Sequence, residues 1–499
     1  MTIPASIFRM YDIRGRVADE LTPQTVERIG AAFAGMVRER AADGGFSRSG
    51  LPTVVVGRDM RLSSPELSQA LIKGLTASGV DVLAIGLCPT PLLYFALHQP
   101  RALSGPVGGG VMVTGSHNPP EYNGLKLCLG TEMVYGDALQ RLAARVVKGG
   151  GPAPTPGTLE GQTKTTSMLS SYLNHVALDM AGDRYGPAAG RGSVRLKIVV
   201  DAGNGTAGLV APDLLERFGC EVIQLYCEPD GRFPNHHPDP TIPANLADLI
   251  RTVKAERADF GVAYDGDADR IGVVDEQGSI IWGDQLLALF ARLVLRQKPN
   301  SLVIADVKSS LIVEQQVIKA GGRFLMWKSG HSLIKAKMKE TNAALAGEMS
   351  GHLFFADRYF GFDDAIYATA RLVEVVQQAR RRGLKLSGLI DWPATCVTPE
   401  IRLDCPDDKK FALVERIDRQ VKPAVAASSL RLKRVVTVDG VRAEFDGGWG
   451  LVRASNTQPV LVVRCEATTA DRLEAVKAVM RTMINAAAGE AGVSITGEW

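Results

Sequence analysis

The sequence predicts an α/β protein of three similarly organised α/β domains followed by a smaller α+β domain. Three recurring segments carry this expectation: an apolar strand opens each unit, a second strand follows a glycine, and a third apolar run leads into an unusually polar motif. The opening strands are 53–58, 196–201 and 301–306, each followed by a helical pattern. The first of these helices has a start signal, with Ser64 as N-cap, Pro65 at the first helical position and Glu66 in the first turn. The second strands, 80–85, 220–226 and 323–326, come after Gly79, Gly219 and Gly322. The third, 111–113, 260–263 and 343–346, lead into Thr114-Gly-Ser-His-Asn-Pro119, Asp265-Gly-Asp-Ala-Asp-Arg270 and Gly347-Glu-Met-Ser-Gly-His352. Alternating strands and helices collect functional groups at the carboxyl ends of the strands. The three motifs are therefore expected to bring three kinds of chemistry to one cleft.

This rhythm breaks near residue 394. Apolar segments near Val435 and Val460 surround Gly447-Gly-Trp-Gly450, and a helical pattern begins near Ala470, which reads as a smaller α+β domain. The domains are expected at 1–160, 161–280, 281–393 and 394–499, with the Gly/Pro/Thr-rich stretch 149–161 as the first connection.

Composition agrees with several domains. A chain of 499 residues, 45% hydrophobic and 22% charged, exceeds the roughly 250–300 residues at which one core stops growing. The formal net charge of +3 comes from nearly balanced acids and bases. The longest basic cluster, Arg380 to Arg382, precedes Gly383 at a helix C-terminus, where it complements the helix dipole and implies no nucleic acid. The seven cysteines are odd in number, scattered and never spaced C-x-x-C, which suits reduced thiols of a cytoplasmic protein. The N-terminus lacks a basic stretch followed by an apolar one, and no run of about 18 apolar residues occurs, so secretion and membrane insertion are not expected.

The motifs differ in what they say alone. Ser116 follows an apolar strand beside His117 and Asn118, and Pro119 and Pro120 prevent a helix there, so an exposed, rigid loop is expected. Its hydroxyl can carry a phosphoryl group if cations offset the charge, and Lys126 is close in sequence. A lone Ser-His pair is more often a turn. The hydrolase pattern G-x-S-x-G is not met, because Asn118 takes the place of its last glycine. Asp265, Asp267 and Asp269 alternate along a loop, where their repulsion calls for a cation; magnesium suits phosphate chemistry, and an acidic turn is the alternative. An EF-hand is rejected: Glu276 is twelfth from Asp265, but Arg270 replaces the sixth-position glycine.

Gly203-Asn-Gly-Thr-Ala-Gly208 matches a dinucleotide fingerprint, with Glu228 downstream. Asp201 just before it would set negative charge against a pyrophosphate, which favours a tight strand-to-helix turn. Arg453-Ala-Ser-Asn-Thr-Gln-Pro459 joins a guanidinium, two hydroxyls and an amide, a set able to hold a phosphate dianion or to form a plain polar turn. Glu348 and Ser350 suit sugar hydroxyls or a helix cap.

In this order the motifs resemble the α-D-phosphohexomutase family over essentially the whole chain. Tyr11-Asp-Ile-Arg-Gly15 matches its N-terminal motif, 114–119 its phosphoserine loop, 265–270 its metal loop, 347–352 its sugar loop and 453–459 its phosphate loop. The resemblance implies four domains around a central cleft, three of them topologically alike. It implies Ser116 as phosphoryl carrier, and Asp265, Asp267 and Asp269 as magnesium ligands with Ser116 in the same shell. It gives Glu348 and Ser350 to sugar hydroxyls, and Arg453, Ser455, Asn456 and Thr457 to the non-reacting phosphate. Arg14, His117, Lys126, Arg270 and His352 would act at the reacting centre, with Tyr11 and Lys328 binding substrate. Two positions depart from the family pattern: Gly115 stands where alanine often precedes the serine, and Ala268 where the metal loop often has glycine. Gly115 is expected to loosen the serine loop, and Ala268 to require a conformation compatible with a Cβ.

The implied reaction moves a phosphoryl group from Ser116 to O1 or O6 of a hexose monophosphate, giving a 1,6-bisphosphate that turns around and returns its other phosphoryl group. That turn roughly exchanges O3 with O4 and leaves O2 less closely read, so glucose and mannose phosphates are both expected substrates. A phosphoglucosamine mutase is the nearest alternative, although its sugar loop typically has glutamine where this chain has Met349. A magnesium-dependent sugar-phosphate phosphatase and a non-catalytic sugar-phosphate sensor are the other classes.

Overall fold

The computed structural model describes residues 3–44, 51–99, 107–147, 159–182, 195–455, 458–497 and 499. Positions 149–158 of the expected first connection lie outside them.

The repeat read in sequence is a repeat of topology. In the first unit Thr53–Arg58 lies between Asp81–Leu87 and Val107–Val113, parallel to both. Lys197–Asp201 sits in the same way between Glu221–Leu225 and Phe260–Tyr264, and Leu302–Asp306 between Arg323–Trp327 and Leu345–Gly347. Each unit adds a fourth strand antiparallel to the third: Tyr122–Leu129, Ile271–Asp275 and Leu353–Phe355. The serine, aspartate and glutamate motifs are the loops joining third to fourth strand in their respective units. Three equivalent loops thus carry three different chemistries.

Central strands are apolar on both faces because helices cover both sides: Val54, Val55 and Val56 are all buried. The first sheet is widened by Ile13–Arg16, antiparallel to Tyr122–Leu129, and by Thr163–Thr165, parallel to Asp81–Leu87. That last strand lies beyond the boundary read at residue 160.

The first unit also corrects the expected cap. The helix runs Ser64–Ala77 with Ser63 at its N-cap position, so Ser64 is already helical. Its buried hydroxyl donates instead to Asp59 Oδ1 at 2.5 Å.

The last domain is an antiparallel sheet ordered Cys396–Val397, Val460–Ala467, Gly448–Ala454, Val441–Phe445, Leu432–Val436, with Ile401–Asp404 also on Val460–Ala467. Helices Lys410–Ala426 and Ala470–Ala491 share its core. It docks on the third unit through buried Arg442, which donates to the carbonyls of Val307 and Ser309 at 2.7 Å and lies 3.7 Å from the Trp449 ring centroid.

The largest hydrophobic cluster runs through all three α/β units, including Phe95, Tyr172, Phe260, Phe290 and Tyr367. Helix Ala365–Arg380 joins it, capped by Asp364, which accepts from the Tyr367 N–H at 2.8 Å and from the Tyr172 and Tyr359 hydroxyls at 2.9 Å. All seven cysteines are free thiols. Among the described residues no helix is long and apolar enough to cross a membrane.

Candidate active site

Ser116 Oγ donates to Asp265 Oδ2 at 2.7 Å and lies 3.0 Å from His117 Nδ1. The expected exposed loop is therefore corrected: Ser116 is only 2% exposed. The aspartate loop packs onto it so closely that a Cβ at Gly266 would lie 2.4 Å from the Ser116 carbonyl oxygen. Ser116 itself holds φ +48°, in the left-handed region.

The aspartate loop is folded around its own carboxylate. Asp265 Oδ1 accepts from the N–H groups of Asp269 and Arg270, both at 3.1 Å. Ala268 turns the chain at φ +61° while fully buried, so this alanine does adopt the conformation that glycine reaches without strain. Lys126 comes across from the neighbouring unit, with Nζ 2.6 Å from Asp267 Oδ2 and in contact with Asp269 Oδ2. Thr90 Oγ1 donates to Asp267 Oδ2 at 2.6 Å. Burial, then repulsion from Asp269 and Asp267, pushes the Asp265 carboxyl well above its ordinary range. Burial acts in the same direction on Asp267, but Lys126 and the Thr90 hydroxyl outweigh it and hold that carboxyl below the usual range.

This donor set fits magnesium. The three aspartates offer oxygens within 4.8 Å of one another, and Asp267 Oδ1 and Asp269 Oδ1 are buried with no hydrogen-bond partner. Hard carboxylate oxygens in excess over the one ammonium among them are the ligands such a cation takes.

Beside the serine loop, Arg14 Nε donates to Asp12 Oδ2 at 2.8 Å and its Nη1 reaches Asn118 Oδ1 at 3.4 Å. Arg270 Nε donates to His352 Nε2 at 3.0 Å. A guanidinium has only protons to give, so His352 carries its own proton on Nδ1, 3.1 Å from Asp363 Oδ2. Burial, with Arg270 and Arg14 nearby, pushes His117 well below its ordinary range and leaves the ring neutral.

Most of the described residues that the resemblance gives to the substrate lie on or beside a path of contacts. Glu348 Oε1 accepts from the Gly330 N–H at 2.5 Å and Oε2 from Ser350 Oγ at 2.9 Å. Tyr11 Oη donates to the Ser329 carbonyl at 2.9 Å, and the Ser329 N–H donates to Asp439 Oδ2 at 3.2 Å. Asp439 pairs with Arg453 at 3.0 Å, which brings the last domain to the third and the first. Ser455 Oγ accepts from the Gln458 N–H at 3.2 Å. Lys328, at the edge of this path, is exposed. Asn456 and Thr457 lie outside the described residues.

Four residues at the site escape sequence reasoning: Thr90, His331, Lys335 and Asp363. His331 stacks on His352 with ring centroids 5.5 Å apart, and Lys335 Nζ pairs with Asp363 Oδ1 at 2.8 Å. The available signals were Ser329-Gly330-His331 opening a helix and an Asp363-Asp364 pair of which one member suffices as a cap. Thr90 gave no local signal, since its partner is 177 positions away. The decoy at 203–208 is a turn: Asp201 Oδ1 accepts from the Gly203 N–H at 2.9 Å, and the carboxylate lies 3.0 Å from His236 Nε2.

Comparisons with known proteins follow the same division of the chain. Family models described as phosphoglucomutase/phosphomannomutase alpha/beta/alpha domains I, II and III match residues 5–149, 171–278 and 282–394, and the C-terminal domain model matches 400–483. The chain is 46% identical to a phosphomannomutase/phosphoglucomutase of Pseudomonas aeruginosa, over 97% of this chain and 96% of that one. It is 42% identical to a phosphoglucomutase of Neisseria gonorrhoeae, over 97% of each. A crystal structure of a phosphoglucomutase/phosphomannomutase family protein from Burkholderia thailandensis superposes with a TM-score of 0.86 at 42% identity, covering 99% of both chains.

Proposed function

The chain belongs to the phosphoglucomutase/phosphomannomutase family, and from that premise we propose that it interconverts the 1- and 6-phosphates of glucose and mannose through phosphorylated Ser116 and a hexose 1,6-bisphosphate. The observation that carries this reading is Ser116 Oγ held 2.7 Å from Asp265 Oδ2, inside a buried cluster of carboxylates and cations. A phosphate-gripping loop in a separate domain adds the second anchor that a bisphosphate needs.

Asp265, Asp267 and Asp269 would hold magnesium, which when bound neutralises charge on the oxygens of the transferring phosphoryl group. Lys126, Arg14 and Arg270 surround the same position and stabilise charge that spreads during transfer. When Ser116 Oγ takes a phosphoryl group its proton must leave, and the neutral His117 Nδ1, 3.0 Å away, is placed to take it. When the phosphoryl group goes to the sugar, the attacking hydroxyl must lose a proton, and His352, whose Nε2 lone pair accepts from Arg270, offers the base. Glu348 and Ser350 read O3 and O4, which a turn of the intermediate exchanges, so one pair serves both half-reactions. Arg453 and Ser455, with Asn456 and Thr457, grip the phosphate that is not reacting, and Tyr11 and Lys328 complete the rim. The bisphosphate is also the activator, since it reloads a serine that has lost its phosphate.

The test is a panel of glucose, mannose and glucosamine monophosphates with magnesium and a trace of bisphosphate, followed for isomerisation and for free phosphate. Isomerisation of glucose and mannose phosphates without phosphate release is expected. Stoichiometric phosphate release would make the protein a phosphatase, and turnover confined to glucosamine phosphate would overturn the substrate assignment.

A further inference from the structure

One guanidinium lies beneath the serine loop. Arg61, fully buried, donates through Nη2 to the carbonyls of Ser116 (2.8 Å) and Asn118, and through Nη1 to those of Pro119 (2.6 Å) and Tyr122 (2.9 Å). Asp59 holds it from below: Oδ2 is 3.3 Å from Arg61 Nε and also accepts from the Gly115 N–H at 3.0 Å, while Oδ1 accepts from the Arg61 N–H at 3.0 Å. Phe233 of the second unit closes the other side, its ring centroid 5.2 Å from Cζ. The arrangement requires the glycine that departs from the family pattern. A Cβ at 115 would lie 2.3 Å from Arg61 Nε and 2.4 Å from Cζ, closer than any nonbonded contact.

Resting on the mutase reading, we propose that Arg61 is the positioning residue that sets the Ser116 loop for phosphoryl transfer, in a seat that Gly115 leaves open. Ser116 holds a left-handed φ of +48°, a strained conformation that persists only where the surroundings over-determine it. Four carbonyls gathered on one rigid, planar fork fix the backbone from Ser116 onward, while Asp59, paired with the same guanidinium, holds the Gly115 N–H just before it. The expectation that Gly115 loosens the loop is thereby reversed, because the missing side chain admits the clamp. Among the described residues the hydrogen bonds and ion pair of Arg61 go to Asp59 and to the serine loop, so its effect should fall on the transfer step rather than on binding.

The test compares Arg61→Lys, Gly115→Ala and the double variant with the parent enzyme. Measurements are kcat and KM for hexose monophosphate, and the rate at which bisphosphate phosphorylates Ser116, read by intact mass. Arg61→Lys keeps the charge but loses the fork, and kcat is expected to fall roughly 100-fold with KM within about twofold. Gly115→Ala should reproduce that pattern by displacing the guanidinium. The double variant should be no slower than Arg61→Lys alone, because a lysine not tethered by the four carbonyls is free to turn away from the added methyl group. Strictly multiplicative losses, unchanged kcat in either folded single variant, or a loss carried by KM would each overturn the proposal. If Arg61→Lys does not fold, the kcat and KM of Gly115→Ala decide it. A parent enzyme without isomerase activity refutes the mutase reading instead, and Ser116 phosphorylation rates still test the clamp.

Discussion

Asp267 commits one oxygen to Lys126 and Thr90 and leaves the other buried with no hydrogen-bond partner. That asymmetry is what a metal ligand with a fixed orientation looks like. Asp267→Asn keeps the shape but removes the charge, so it should raise the magnesium concentration needed for half-maximal rate and lower kcat/KM roughly 100-fold. Chelation should stop the parent enzyme and magnesium restore it, whereas metal-independent rates in both proteins would remove the role given to the cluster. At this scale the sequence was legible wherever chemistry is local: Ser116, the alternating aspartates and Arg453 each stand in a short motif. Asp363, His331 and Arg61 were not, because each acts through contacts with distant segments. The exposure expected for Ser116 was wrong for the same reason, since the aspartate loop that packs on it belongs to another unit. Prolines 119 and 120 do exclude a helix, but they carry no information about what packs on top.

At the level of elements, helix Ala365–Arg380 is tied to its surroundings by its cap. Burial pushes the Asp364 carboxyl up to about 6, although the Tyr367 N–H and the Tyr172 and Tyr359 hydroxyls act against the rise. A folded-state value above the unfolded one means the native protein holds a proton that the unfolded chain has released. The stability so contributed is complete below about pH 4 and is lost as pH rises through about 6, about 3 kcal/mol in all for a shift of roughly two units. Asp364→Asn retains an acceptor for the cap and does not titrate. Its unfolding free energy, from denaturant titrations, should decline less between about pH 4 and about pH 6 than the parent's, and identical pH slopes would rule this out. The three-unit repeat was legible from strand order, since its opening strands are nearly continuous apolar runs. The antiparallel fourth strands were not read from sequence in any unit; that of the third, Leu353–Phe355, is only three residues long and follows the motif directly. Ser64 shows the opposite limit, where a proper start signal is displaced by one residue because Asp59 takes the hydroxyl.

On the scale of the whole molecule, the proposed reaction needs a site that lets one bisphosphate turn around without escaping. Arg442 fastens the last domain to the third unit, and Asp439 with Arg453 reaches Ser329, where Tyr11 arrives from the first. Residues of several domains therefore meet around the site, and in the proposed reaction the two ends of the ligand would be held by different domains. Arg453→Ala should raise KM for monophosphate roughly tenfold, losing a charge-assisted grip, and should let more bisphosphate escape before it reorients. Labelled substrate would then mix more readily with an unlabelled bisphosphate pool, and parental affinity together with parental retention would contradict the anchor. The most direct test of the account follows the phosphoryl group itself. Enzyme labelled at Ser116 with isotopic phosphate is mixed with excess unlabelled glucose 1-phosphate and quenched within a turnover. Label should leave Ser116 for glucose 1,6-bisphosphate and then for glucose 6-phosphate, and Ser116→Ala should take up no label and not turn over. Label released as inorganic phosphate, or full isomerase activity in cleanly prepared Ser116→Ala protein, would contradict it.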